Sequence, residues 1–191
     1  MHQYHKRLIT IGSIAILLGM LGTLTYYYQS YLIPVSVQST GLSDYDPTRD
    51  RTDIIKLFET DRYLLTNTPG YSPEHMLDTR SPNKYNPAWF GKLRLRVLRE
   101  DGKFIGFTGF YPRNFYLAWL LFVAVDPAMR GKKYGEVLVN DALDQMRKLG
   151  YKEVGLDVRV SNERAQKLYK RLGFTEFSNE GDGFIQFSKT L

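Results

Sequence analysis

Between Leu93 and Val125 three strand-like segments follow one another, and behind them come a helix, a strand, a second helix and a closing hairpin. That order fixes the fold class as mixed α/β, because each segment announces its own period. Leu93, Leu95 and Val97 alternate with Arg94 and Arg96, as a half-buried strand requires. Asp101-Gly102 is a two-residue hairpin turn into 104–107, and the mostly apolar 115–125 suits a central strand covered on both faces. Asp126-Pro127 stops it. Residues 136–149 then place Val137, Leu138, Ala142, Met146 and Leu149 on one helical side, with Gly150 as the stop. Val154, Leu156, Val158 and Val160 alternate again. Ser161 or Asn162 caps a helix reaching Leu172 and closed by Gly173, and 174–177 and 184–187 read as two last strands around Gly181-Asp182-Gly183. No internal repeat interrupts this order.

Upstream the pattern is looser. Val35 and Val37 are expected to open a first strand, and Thr52 or Asp53 to cap a helix whose Ile54, Ile55, Leu57 and Phe58 share a face. The stretch 69–87 holds four of the eight prolines and reads as an extended loop, either a substrate lid or a surface excursion. Arg94, Arg96 and Arg99 read as a solvated strand face rather than a nucleic-acid stripe.

Residues 8–28 carry no charge. As a helix they would span roughly 31 Å, about the hydrocarbon thickness of a bilayer. Tyr26, Tyr27, Tyr28 and Tyr31 fall where an interfacial aromatic belt belongs, and Lys6 and Arg7 flank the other end. A single-pass anchor after a short basic tail (1–7) is therefore expected, ahead of a soluble domain over 32–191. A cleaved signal segment is the alternative, disfavoured by the tyrosines and the lack of an A-x-A site. The flanking charges place the N-terminus in the cytoplasm and the rest of the chain outside; two charges decide little, so the side occupied by the soluble domain is left open.

The 191 residues suffice for one domain with a sizeable core. The absence of cysteine removes thiolate nucleophiles and cysteine-held metals, and three histidines make a histidine-rich metal site an unlikely design, so no metal is expected. A formal charge of +6 suits an anionic ligand, a membrane surface or nucleic acid, and no helix-turn-helix, zinc or RNP-type pattern supports the last.

The chemically informative stretch is 123–135, VAVDPAMRGKKYG, in which a buried strand enters a basic, glycine-containing turn and a helix starts directly behind. Unpaired N–H groups and the helix dipole make such a turn an anion site, and Arg130, Lys132 and Lys133 add positive charge. Gly131 and Gly135 permit close backbone approach. It is neither a P-loop nor a G-x-G-x-x-G turn, and an ordinary basic loop is the alternative.

At these residues the chain resembles the GCN5-related N-acetyltransferase (GNAT) family, whose [Q/R]-x-x-G-x-[G/A] signature holds the pyrophosphate of acetyl-CoA on backbone amides. Arg130 takes the first position and Gly135 the last, while Lys133 replaces the middle glycine. A second stretch, 162–174, NERAQKLYKRLGF, looks like the family's N-x-x-A-x-x-L-Y-x-x-x-G-F. The resemblance implies the GNAT fold, a mostly antiparallel central sheet with a splayed parallel strand pair, flanked by helices. The splayed pair would be 120–125 and 154–160. Implied cofactor contacts are the main chain of Val123 and Val125, then Arg130, Gly131, Lys132, Lys133, Tyr134, Gly135 and Asn162, with acetyl-CoA as co-substrate. Tyr169 is implied as the proton donor to the departing thiolate, with a structural tyrosine as its alternative.

The acceptor implied is a small-molecule or peptide amine that attacks the thioester directly. The general base is not legible: Asp157 lies out of phase with the buried valines and is either solvated or within reach of the cleft, and Asp126 reads as a strand-end cap. Tyr85, Trp89, Phe110 and Tyr111 are candidates for the acceptor pocket, and 66–90 with the final hairpin for substrate choice. A catalytically inactive CoA-binding or protein-interaction module is the competing reading.

Overall fold

The computed structural model describes residues 41–83, 86–179 and 183–191. The apolar run 8–28, the strand expected at Val35 and Val37, Tyr85 and the Gly181-Asp182 turn lie outside the described residues. No helix among the described residues is long and apolar enough to cross a membrane.

Seven strands form one sheet: β1 (Gly41–Asp44), β2 (Arg94–Glu100), β3 (Lys103–Pro112), β4 (Leu117–Val125), β5 (Glu153–Arg159), β6 (Thr175–Asn179) and β7 (Phe184–Thr190). Their order is β1-β2-β3-β4-β5-β7-β6, with every pair antiparallel except β4–β5. The β2–β3 hairpin turns where expected, with Asp101 and Gly102 at φ 50° and 75°, the two positive φ values of a type I′ turn. Five helices are described: α1 (Pro47–Thr60), α2 (Arg62–Leu65), α3 (Pro73–Thr79), α4 (Tyr134–Lys148) and α5 (Glu163–Arg171).

Two upstream expectations are corrected. The first helix begins at Pro47, well before Thr52, because the Asp46 carboxylate accepts the Thr48 N–H at 2.8 Å and Pro47 supplies the preset φ of a first helical position. The proline-rich stretch contains α3, since Ser72 caps the His75 N–H at 3.1 Å and Pro73 sits at N1, where a proline starts a helix rather than breaking one.

The sheet separates two cores. On one face α4 and α5 bury Leu120, Val139, Met146, Leu156 and Phe187. On the other α1 and α3 bury Ile54, Phe58, Phe107 and Phe122, with Phe58 and Phe122 edge to face at 5.4 Å. Each of these large side chains contributes about 1.5–3 kcal/mol by leaving water. A bulge in β4 decides which residues serve which core. Gly109 faces Phe122 and Phe110 faces Leu120, so Leu121 is an extra residue and the alternation slips by one. Ala118 and Leu120 lie on the α4 face, Phe122 and Ala124 on the α1 face, and Val123 and Val125 turn back toward α4.

Of the β2 arginines only Arg94 is exposed as expected; Arg96 and Arg99 are not a solvated face. Arg96 reaches Asp141 of α4 at 2.8 Å and Asp44 at 2.9 Å. Arg99 lies on the opposite face, where it meets Asp53 at 2.6 Å and the fully buried Asp50 at 2.9 Å. Arg49 closes the same cluster at 2.8 Å from Asp50.

Candidate functional site

Behind β4 the Asp126 carboxylate caps a single 3-10 turn, Pro127–Met129, by accepting the Ala128 N–H at 2.8 Å. Asp126 is thus the strand-end cap expected of it. Gly131 then adopts φ 87° and Lys133 φ 65°, both left-handed, and α4 starts at Tyr134. Lys133 caps the helix through its carbonyl, which accepts from Glu136 at 2.9 Å and Val137 at 3.2 Å. The amides of 131–135 have no acceptor among the described residues, and they stand at the positive end of a fifteen-residue helix.

Arg130 does not reach into open space. Its Nε donates to the Val125 carbonyl at 3.0 Å, and its guanidinium is ion-paired with Asp61, just past α1. This side chain braces the turn between β4 and α1. Tyr134 points away, its hydroxyl donating to Glu100, so what it offers the turn is its amide. Lys132 is exposed and lies outside the cleft wall, whereas Lys133 belongs to it.

A cleft of about 890 Å³ opens between the start of α4 and α5, and its wall includes Val125, Arg130, Gly131, Lys133, Gly135 and Asn162. Five cations line it, Arg130, Lys133, Arg164, Lys167 and Arg171, against the three carboxylates Asp61, Glu136 and Glu163. The α5 cations escaped the sequence reading, although their i, i+3, i+7 spacing places them on one side of a helix. Asn162 is the α5 cap, its Oδ1 accepting the Ala165 N–H at 3.1 Å at the mouth of this cleft.

The parallel pair β4–β5 is joined only where Leu117, Ala118 and Trp119 face Glu153, Val154 and Gly155. Beyond Trp119 the strands part, although β4 runs on to Val125 and β5 to Arg159. The Asp126 N–H donates to the Ile105 carbonyl of β3 at 2.8 Å, so by alternation Val123 and Val125 direct their peptide groups into the gap. Trp119 sets where the gap begins: its indole lies against Gly155 so closely that a Cβ there would sit 2.1 Å from the ring.

Tyr169 of α5 packs against Phe174 and Phe187 with ring centroids at 5.5 and 6.3 Å, in the core beside Leu120 and Leu156. Burial pushes its phenol well above the ordinary tyrosine range, so it stays protonated at neutral pH.

On the α1 face of the sheet lies a second cavity of about 400 Å³, lined by Thr68, Tyr71, Asn83, Trp89, Tyr111 and Arg113 among others. Trp89 and Tyr111 meet edge to face at 5.4 Å. Phe110, expected here too, is instead 1% exposed in the α4-side core, because adjacent residues of β3 point to opposite faces and Tyr111 takes the cavity side. Asp157 stands on the same face as Trp119, accepting from the indole Nε1 at 3.2 Å and from the Gln186 amide at 3.0 Å.

Residues 57–174 match the Acetyltransferase (GNAT) family. A mycothiol acetyltransferase of Thermomonospora curvata is 36% identical over 92 residues, 47% of this chain and 30% of that protein. The [ribosomal protein bS18]-alanine N-acetyltransferase of Escherichia coli is 39% identical over 59 residues, 31% of this chain and 40% of that one. The chain thus spans well under half the length of either relative. Among solved structures, the PaiA N-acetyltransferase of Thermoplasma acidophilum in complex with coenzyme A superposes with a TM-score of 0.63 at 20% identity, covering 78% of this chain and 98% of that one.

Proposed function

This chain belongs to the GNAT acetyltransferase family, and from that membership we propose that it transfers the acetyl group of acetyl-CoA to a primary amine by direct attack. The observation that carries the reading is the gap between β4 and β5, with the unpaired amides of the 131–135 turn at the start of α4 behind β4. In this account the amides of 131–135 hold the pyrophosphate, with Lys133 and the α5 cations supplying charge. The pantetheine lies along the open edge of β4 at Val123 and Val125. Arg130 acts through the turn that it braces.

The acceptor enters from the α1 face, and its ammonium meets Asp157, which takes the proton directly or through water. The amine lone pair then forms the C–N bond. A β4 N–H in the gap stabilises the tetrahedral oxyanion. Collapse breaks the C–S bond, the thiolate takes a proton from Tyr169, and the second proton of the acylated nitrogen leaves through water and restores the Tyr169 phenol. No metal enters this scheme, and among the described residues no cluster of potential ligands would hold one.

The finer part of the proposal is that residues 8–28 tether the enzyme to a membrane, supported by their length, lack of charge and tyrosine-rich end. Acetyl transfer to a panel of amines, followed by CoA thiol release, tests the activity; a protein that binds acetyl-CoA and transfers to none would favour the inactive module. Resistance of the expressed full chain to alkaline extraction from membranes tests the tether, and release into the supernatant would refute it.

A further inference from the structure

The acceptor cavity carries one cation and one carboxylate beside it, and the two are kept apart. The Arg113 guanidinium lies over the Trp119 ring, 4.8 Å from its centroid. The edge of the same indole donates to Asp157 at 3.2 Å. Asp157 is satisfied by neutral donors only, the indole and the Gln186 amide, and neither it nor Arg113 has an ion-pair partner among the described residues. The arginines of β2 that turn inward, by contrast, are neutralised by carboxylates. Tyr111 registers both charges: its phenol is pushed up chiefly by burial, pulled down by Arg113 and pushed up by Asp157. Arg113 is the only cation among the described lining residues. Tyr71, Trp89 and Tyr111 give the wall an aromatic side beside Thr68, Pro82 and Asn83, and the buried Tyr71 hydroxyl has no hydrogen-bond partner among the described residues.

Two opposite charges fixed on one indole, each without a counter-ion, complement a small ligand that carries both charges itself. We propose that the acceptor is a free amino acid-type zwitterion, its ammonium directed to Asp157 and its carboxylate to Arg113, with an apolar body against the aromatic walls. A cavity of about 400 Å³ has room for such a molecule. Arg113 is then the specificity-determining residue, rejecting amines that lack an anion because its charge would stay unpaired. The inference rests on the acetyltransferase reading, since it names the substrate of that same site.

The chain's two tryptophans, Trp89 and Trp119, both bear on this site, so intrinsic fluorescence reports binding without turnover. The twenty common amino acids and their C-terminal amides are titrated into the full chain, its Arg113→Gln and Asp157→Asn variants, each variant first shown to melt cooperatively. The expected result is saturable quenching or enhancement by one subset of amino acids, at least tenfold weaker binding of the matching amides, and loss of that preference in Arg113→Gln. Asp157→Asn should weaken the amino acid. Equal binding of acids and amides, an unchanged preference in Arg113→Gln, or no response to any amino acid would overturn the proposal. A response to peptide N-termini alone would overturn it as well. Acetyl-CoA binding, measured separately by calorimetry on the same protein, fails only if the acetyltransferase reading itself is wrong.

Discussion

Lys133 occupies a left-handed conformation, φ 65° and ψ 9°, at the turn position where the family carries glycine. A side chain there costs backbone energy, and replacement by glycine should stabilise the fold by about 1 kcal/mol, less what glycine's freer unfolded chain takes back. Urea unfolding of Lys133→Gly measures it, and an unchanged or lower midpoint would contradict the strain. Arg130 offers a sharper discrimination. If it braces the turn, Asp61→Ala should weaken acetyl-CoA binding in the same direction as Arg130→Ala. If it touched phosphate directly, freeing it from Asp61 would leave binding intact or tighter. Tyr169→Phe should lower kcat by about 100-fold or more while leaving acetyl-CoA affinity near wild type; a KM effect alone would assign it a packing role. Gly155→Ala should displace the Trp119 ring, costing about 1–3 kcal/mol and shifting the tryptophan emission.

At the scale of elements, the cluster of Asp50 with Arg49 and Arg99 ties α1 to β2. Burial alone would raise the Asp50 carboxyl, but hydrogen bonds from Arg49, the Asp46 amide and Arg99 outweigh it and hold the group below its usual value. Its stabilisation is therefore complete at neutral pH, erodes as pH falls below the unfolded carboxyl value of about 3.9, and vanishes below the lowered folded value. Asp50→Ala should cost about 1.5–3 kcal/mol at pH 7 by removing the carboxylate that Arg49 and Arg99 share, although Arg99 keeps Asp53, and the gap from wild type should narrow below about pH 4. A gap independent of pH would mean that the carboxylate's charge is irrelevant. The elements differ in how far the sequence announces them. α5 was legible because cap, period and stop agree: Asn162 opens it and Gly173 closes it at φ 80°. α4 was legible in its core positions and its Gly150 stop, while Val137 and Leu149, expected on the same side, are exposed. The turn proposed to bind phosphate stood out by its charge and glycines. The sheet's decisive irregularity was not. Nothing in the apolar 117–125 run singles out Leu121 as the bulge, yet that one residue turns Phe122 and Ala124 to the α1 face and Val123 and Val125 toward the α4 side. The arginines of β2 misled for a related reason: position 99 has the opposite parity to 94 and 96, and its partners come from a helix about fifty residues earlier. Asp157 was visible as out of phase, but its face depends on pairing with Gln186.

Over the whole described domain, the sheet separates the two cavities. Cationic walls and unpaired amides lie on the α4–α5 side, and the cavity of Tyr71, Trp89 and Tyr111 lies on the α1 side. In the proposed reaction, donor and acceptor approach from opposite faces, so substrate choice could vary without disturbing cofactor binding. The tether proposed for residues 8–28 adds a third requirement, since the donor mouth must face a compartment that supplies acetyl-CoA. The most direct test of this account is calorimetric titration of acetyl-CoA into the full chain, beside Arg130→Ala. Saturable binding at one site, weakened in the variant, is the predicted result. An absence of binding at high protein concentration would contradict the account, and the interaction-module reading would take its place.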